Sequence, residues 1–311
     1  MTKPFLSLLL IFLLVPPPSM ALPGVEPVAA ITVTADPVYA IPTRPDRAGR
    51  LLTPVMVDGL GPYRFLVDTG CSGTMVGHHL AERLGQGRDR PLAPFVRVHD
   101  VLGPVDLPAA RLAQLDIGLF TASDITAPIL TIGDASGADG VLGTNSLLGR
   151  RLWVDFRRDQ IRIERSKRSA PSGYDTVRGR LHEGGLLIVP VRVGGVTVPG
   201  LVDTGAERSF FNQALWQQLR TNENTKALGE VELLNLAGLS ARGPVFTLPR
   251  LRVGPITIRG LDAILVDAYA FNTLGLSEEP AMVLGMDILG LTEAFAVDFG
   301  QAELHLRLRQ H

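Results

Sequence analysis

Cysteine is almost missing from this chain: Cys71 is the only one in 311 residues, so no disulfide can form within it. A secreted form would have to draw its stability from a buried core instead. No N-x-[ST] sequon occurs, and no side chains show the spacing of zinc ligands. An excess of one charge is missing too, with 30 basic residues against 31 acidic ones and a formal net charge of -1. That balance argues against nucleic acid or an anionic membrane surface as the main partner. Long apolar runs are also lacking. Residues 5–15 (FLSLLLIFLLV) make an uninterrupted stretch of eleven, whereas a spanning helix needs about 20.

The short run has another reading. Lys3 precedes it, Pro16, Pro17 and Pro18 stop it, and Ser19-Met20-Ala21 comes next with small residues at the −3 and −1 positions. This is the layout of a signal peptide, residues 1–21, cleaved after Ala21. The expected location is therefore periplasmic or secreted, with no membrane attachment after cleavage. Absence of disulfides and sequons suits a bacterial envelope. Residues 22–50 form a Pro-rich leader. The whole chain is 46% hydrophobic and 20% charged, with 33 glycines and 23 prolines. Such a composition buries a sizeable core and turns often, as an all-β protein does.

Beyond the leader the sequence is written twice. Residues 53–70 (TPVMVDGLGPYRFLVDTG) and 189–205 (VPVRVGGVTVPGLVDTG) each alternate apolar and polar residues, turn at glycine, and re-enter as an apolar strand. That is a β-hairpin pattern. Pro190 lies 136 residues after Pro54, and Leu248 of LPRLRVGPITI lies 136 after Leu112 of LAQLDIGLFTA. Gly285 lies 142 after Gly143, so the second copy carries six extra residues, expected within 268–280. The repeat implies two lobes, 51–164 and 176–311, joined by a charged linker at 165–175. Short helices are expected at 78–84 and 213–219.

Each copy ends an apolar strand in Asp-Thr-Gly: Asp68-Thr69-Gly70 and Asp203-Thr204-Gly205. Burying an unpaired carboxylate costs several kcal/mol. Two copies related by a pseudo-twofold axis could share one proton between Asp68 and Asp203, because like charges about 3 Å apart cannot both ionise. The glycines would let backbone amides approach, and Thr69 and Thr204 would bond across the axis.

On these residues the chain resembles the retropepsin/pepsin clan of aspartic peptidases over roughly residues 51–308. In that clan the Asp-Thr-Gly strand is followed by a hydrophobic-hydrophobic-Gly psi-loop. Here the matching segments are Val141-Leu142-Gly143 and Val283-Leu284-Gly285, which place Gly143 75 residues after Asp68 and Gly285 82 after Asp203. The resemblance implies two pseudo-symmetric β-barrel lobes with a cleft between them, an Asp68/Asp203 dyad, and a polypeptide substrate. It implies no metal or other cofactor, and a monomer. The second copy, DTGAERSFF, keeps the alanine usual after the glycine, whereas the first has Cys71 there. No flap tyrosine of the pepsin kind is evident. Flaps of the retropepsin kind would fall near 99–106 and 235–243.

Competing chemistries fit less well. His78 and His79 are adjacent, so a helix would point them apart, and they read as surface residues. Gly70-Cys71-Ser72-Gly73 misses the G-x-S-x-G spacing, and Cys71 has no persuasive histidine partner for nucleophilic catalysis. Asp155 and Asp298 lie on strands past the psi-loops, where local capping or pairing is expected. The Arg-rich stretch 157–168 reads as solvated surface. A noncatalytic periplasmic peptide-binding or scaffolding module on the same fold is the alternative to an endopeptidase.

Overall fold

A computed structural model of the protein describes residues 6–8, 13–14, 41–42, 51–87, 92–100, 103–118, 120–130, 137–234, 240–266 and 269–309. The expected signal-peptide cleavage site, most of the signal peptide and most of the leader lie outside the described residues. No described helix is long and apolar enough to cross a membrane.

Strands dominate, as two all-β lobes. In the first, Gly103–Ile117, Leu52–Val57, Leu60–Val67, Gly140–Leu142, Met75–Gly77 and Phe120–Leu130 pair in that order. The last then pairs back to Gly103–Ile117, which closes a barrel. Alternation explains the arrangement, since Val55 and Val57 point inward and are buried. In the second lobe Leu187–Val193, Val196–Val202, Met282–Leu284, Phe210–Phe211 and Asp262–Leu265 repeat the pairing order, but the barrel stays open. A local reason is visible at Pro249, which stands where the first copy has Ala113. Proline offers no amide for a ladder, and the strand that is continuous in the first lobe stops at Thr247 and resumes at Leu251.

Helices are short: α1 (His78–Arg83), α2 (Gln213–Leu219), α3 (Tyr269–Thr273) and α4 (Met286–Leu289). The first two come after the Asp-Thr-Gly loops at the positions the sequence predicts. Helix α3 falls in the stretch expected to hold the six extra residues. Asn212 caps α2 by accepting from the Leu215 amide at 2.9 Å.

A third sheet joins the lobes. Its central pair is Arg150–Asp155 of the first copy against Ala294–Asp298 of the second, antiparallel, with Trp153 opposite Ala296. Gln160–Arg165 extends it on one side, and Glu303–Arg307 with Asp175–Arg178 on the other. Asp298 does more than cap locally. It accepts from Arg151 Nε at 2.6 Å across the lobe boundary, and both side chains are buried. Arg151 also donates to the carbonyls of Lys167 (2.7 Å) and Ser169 (3.1 Å), while Ser166 Oγ donates to Asp298 Oδ1 at 2.6 Å. Residues 166–174 are thus strapped onto the sheet, with Tyr174 edge-on to Trp153 at 5.2 Å. Removing one partner from such a buried ion pair typically costs about 3–5 kcal/mol.

His305 lies in the same sheet, fully buried, with Thr176 Oγ1 2.9 Å from its Nδ1. Burial first, and then the Arg151 charge, lower its pKa from 6.5 to about 4, and Asp298 offsets this only in part. An unfolded chain would protonate His305 near pH 6.5, so stability should fall as pH drops from 6.5 towards 4 and level off below. The expected loss from this group is about 3 kcal/mol. Denaturation midpoints of the wild type and His305→Gln across that range should converge with falling pH, and parallel curves would contradict the assignment.

Candidate active site

Each aspartate is delivered by the same local structure. Phe65, Leu66 and Val67 pair in parallel with Gly140, Val141 and Leu142, and the Asp68 amide then donates to the Leu142 carbonyl at 3.1 Å. In the second lobe Gly200, Leu201 and Val202 pair with Met282, Val283 and Leu284, and Asp203 donates to Leu284 at 3.0 Å. Apolar strands on both sides leave each carboxyl at the end of a buried ladder. Asp68 and Asp203 are both fully buried.

The two loops interlock. Thr69 N donates to Thr204 Oγ1 at 3.1 Å and Thr204 N donates to Thr69 Oγ1 at 3.0 Å. Each hydroxyl in turn donates into the opposite strand, Thr69 to the Val202 carbonyl and Thr204 to the Val67 carbonyl, both at 2.7 Å. Sterics complete the exchange. A Cβ on Gly70 would lie 2.6 Å from Asp203 Oδ1, and one on Gly205 would lie 2.6 Å from Asp68 Oδ1. Only glycine permits so close an approach, and each copy's glycine therefore faces the other copy's aspartate.

Backbone amides stabilise the carboxyls. Asp68 Oδ1 accepts from Gly70 N at 2.9 Å, and Asp203 Oδ1 accepts from Gly205 N at 2.8 Å and Ala206 N at 3.1 Å. Burial, followed by the adjacent Asp68 charge, nevertheless pushes the Asp203 carboxyl well above the usual carboxylate range.

The psi-loop glycines lie under these turns. A Cβ on Gly143 would come 2.8 Å from Gly73 N, and one on Gly285 2.9 Å from the Ala206 carbonyl oxygen. Four further polar residues, missed from the sequence, tie turn to psi-loop. Gly143 N donates to Thr74 Oγ1 at 3.3 Å, and that hydroxyl donates to Asn145 Oδ1 at 3.0 Å. Gly285 N donates to Ser209 Oγ at 3.0 Å, and Ser209 Oγ donates to Asp287 Oδ1 at 2.6 Å. Thr74 and Ser209 stand six residues after their aspartates, Asn145 and Asp287 two after their glycines. Matched offsets in the two copies were the available signal. Burial raises the Asp287 pKa against the pull of its bonds from Ser209.

An aspartyl protease family profile matches residues 53–146 and 189–288, one match in each lobe. The chain belongs to the retropepsin-like aspartyl protease family. No curated protein matches it. The two matched regions of this aspartyl protease coincide with the two interlocked turns and their psi-loops.

Among the other sequence candidates, His78 and His79 sit exposed on α1, 3.2 and 3.6 Å from Glu82 carboxylate oxygens. No cluster of three metal-ligating side chains occurs among the described residues. The expected flap regions lie on two hairpins, Ala93–Asp100 with Gly103–Ile117 and Lys226–Leu234 with Ser240–Thr247. Their tips, 101–102 and 235–239, are outside the described residues. Cys71, beside the first turn, is fully buried and donates to the Gly73 carbonyl at 2.9 Å. Desolvation first, with the Asp68 charge adding to it, raises its thiol well above the ordinary value.

Two measurements test this geometry. Thr204→Ala leaves Thr69 N and the Val67 carbonyl without their partner and should lose about 2–4 kcal/mol in chemical denaturation, while Thr204→Ser should retain most of that stability. Cys71 should resist alkylation by iodoacetamide in the native protein and react on unfolding. Rapid native labelling would show that the loop opens to solvent.

Proposed function

We propose that the protein is an aspartic endopeptidase that hydrolyses peptide bonds of extended polypeptides through Asp68 and Asp203. One observation carries the reading: each lobe's glycine abuts the other lobe's carboxyl, so both carboxyls face one point at the lobe boundary. Two buried carboxyls so placed hold one proton between them in the working state. The ionised group takes a proton from a water molecule as its oxygen attacks the scissile carbonyl carbon. The protonated group donates to the carbonyl oxygen, giving a neutral tetrahedral intermediate. Proton transfer to the amide nitrogen then lets the C–N bond break. Because the groups titrate as a pair, the roles belong to the pair. Thr69, Gly70, Thr204 and Gly205 hold it in place, and Gly143 and Gly285 support the turns from below.

An extended substrate suits the flap hairpins. Residues 232–234 and 98–99 of those hairpins pair with Leu6–Leu8 and Leu13–Leu14, segments within the expected signal peptide, so that its cleavage would leave the same strand edges open to a substrate. Strand addition of this kind supplies backbone recognition with limited side-chain demand. Apolar residues flanking the scissile bond are the preferred class. The leader layout supports action in the periplasm or outside the cell, as a monomer with both aspartates in one chain.

Cleavage of a denatured protein mixture should show a bell-shaped profile between about pH 3 and 7, since both fully protonated and fully ionised pairs are inactive. Asp68→Asn and Asp203→Asn should each lower turnover by at least about a hundredfold while retaining peptide binding. Turnover surviving in either variant contradicts the dyad. Peptide binding without cleavage by the wild type would instead favour a noncatalytic binding module.

A further inference from the structure

The two halves differ where the second has its surplus chain, and helix α3 lies in that stretch, 268–280. Ala270 and Phe271 of this helix, with Leu274 and Leu276 beyond it, are buried in the second lobe. The Phe271 ring stands edge-on to Phe210 with centroids 5.9 Å apart. Asn212 grips the same stretch through its backbone. Its Nδ2 donates to the carbonyls of Leu276 at 2.8 Å and Glu279 at 2.7 Å, and its Oδ1 accepts from the Ala281 amide at 3.1 Å. Helix α3 is therefore a fixed platform of the second lobe.

Tyr269, the first residue of that platform, is only half-buried and reaches the other lobe. Its ring meets His99 of the first flap hairpin edge-on, with centroids 5.5 Å apart. Strand alternation sets up the contact. Val98 is fully buried against its own lobe, in a cluster with Leu66, Cys71 and Val141 beside the Asp68 loop. His99, the next residue, projects the opposite way. Arg97, on the same side as His99, is gripped by Asp106 through two hydrogen bonds of 2.8 Å, which stiffens the hairpin behind the contact.

We propose that Tyr269 is a positioning residue that latches the first flap, through His99, to the second lobe, so that admitting a substrate requires this contact to break. The proposal rests on the cleft being the substrate site. Because the first copy is six residues shorter over this stretch, the latch is one-sided and the two flaps differ in how readily they open. An edge-to-face ring pair biases such an equilibrium by roughly two- to tenfold.

Amide hydrogen exchange on the purified protein tests the latch without needing turnover. Tyr269→Ala should speed exchange in the Ala93–Asp100 strand by about two- to tenfold and leave Lys226–Leu234 as in the wild type. Tyr269→Phe, which keeps the ring, should match the wild type. Unchanged exchange in Ala93–Asp100 of Tyr269→Ala overturns the latch. An increase shared by both lobes also overturns it, because that marks general loosening. On a cleavable peptide, Tyr269→Ala should lower KM, because the open flap is more populated, and leave kcat within about twofold. A wild-type protein that cleaves nothing overturns the peptidase reading and leaves the exchange result standing.

Discussion

Bringing Asp68 and Asp203 together in a buried interface is unfavourable in itself, since each ionised carboxylate would lose its hydration and meet a like charge. The surrounding structure supplies what offsets this. Backbone amides of Gly70, Gly205 and Ala206 donate to the carboxyls, and the reciprocal Thr69–Thr204 bonds stop the loops from moving apart. The same arrangement makes a shared proton favourable, which is the state the proposed hydrolysis would use.

The joint that carries this strain lies elsewhere. Strands Arg150–Asp155 and Ala294–Asp298 pair across the boundary, and the Arg151–Asp298 ion pair with its Ser166, Lys167 and Ser169 partners is buried beneath the connecting segment. A buried ion pair adds little net stability over a well-packed apolar contact. What it does here is penalise any misregistered docking of the lobes, since either charge left without the other would be stranded in the interior. Register of the sheet and alignment of the two turns are thereby linked.

Duplication has not kept the halves equal. Pro249 interrupts a strand that is continuous in the first copy and leaves the second barrel open. Cys71 fills the site of Ala206 with a larger, buried side chain. Helix α3 adds a contact from the second lobe to His99 of the first lobe. None of these alters the interlocked turns, where both copies retain the same residues and nearly the same distances. Divergence has fallen on strand continuity, on the packing beside one turn and on the surplus stretch, and spared the paired Asp-Thr-Gly turns.

Much of this was legible in the residues. Doubled Asp-Thr-Gly turns, doubled psi-loop glycines and constant offsets of 136 and 142 were enough to expect two all-β lobes, the paired aspartates and the position of the extra segment, because strand alternation and glycine turns are local properties of the chain. Other features depended on contacts between residues far apart in sequence. The Arg151–Asp298 pair spans 147 residues, the His99–Tyr269 contact crosses lobes, and the burial of Cys71 depends on what packs over it. Asp298 looked like a local cap because its local bonds, to Gly300 and Gln301, are the ones a sequence displays. The sequence by itself determined the elements, their duplication and the residue types at the centre. Only the tertiary structure decided which side chains meet between the lobes away from that centre, such as Arg151 with Asp298 and Tyr269 with His99, since that depends on the register in which two lobes dock, and no local pattern encodes it.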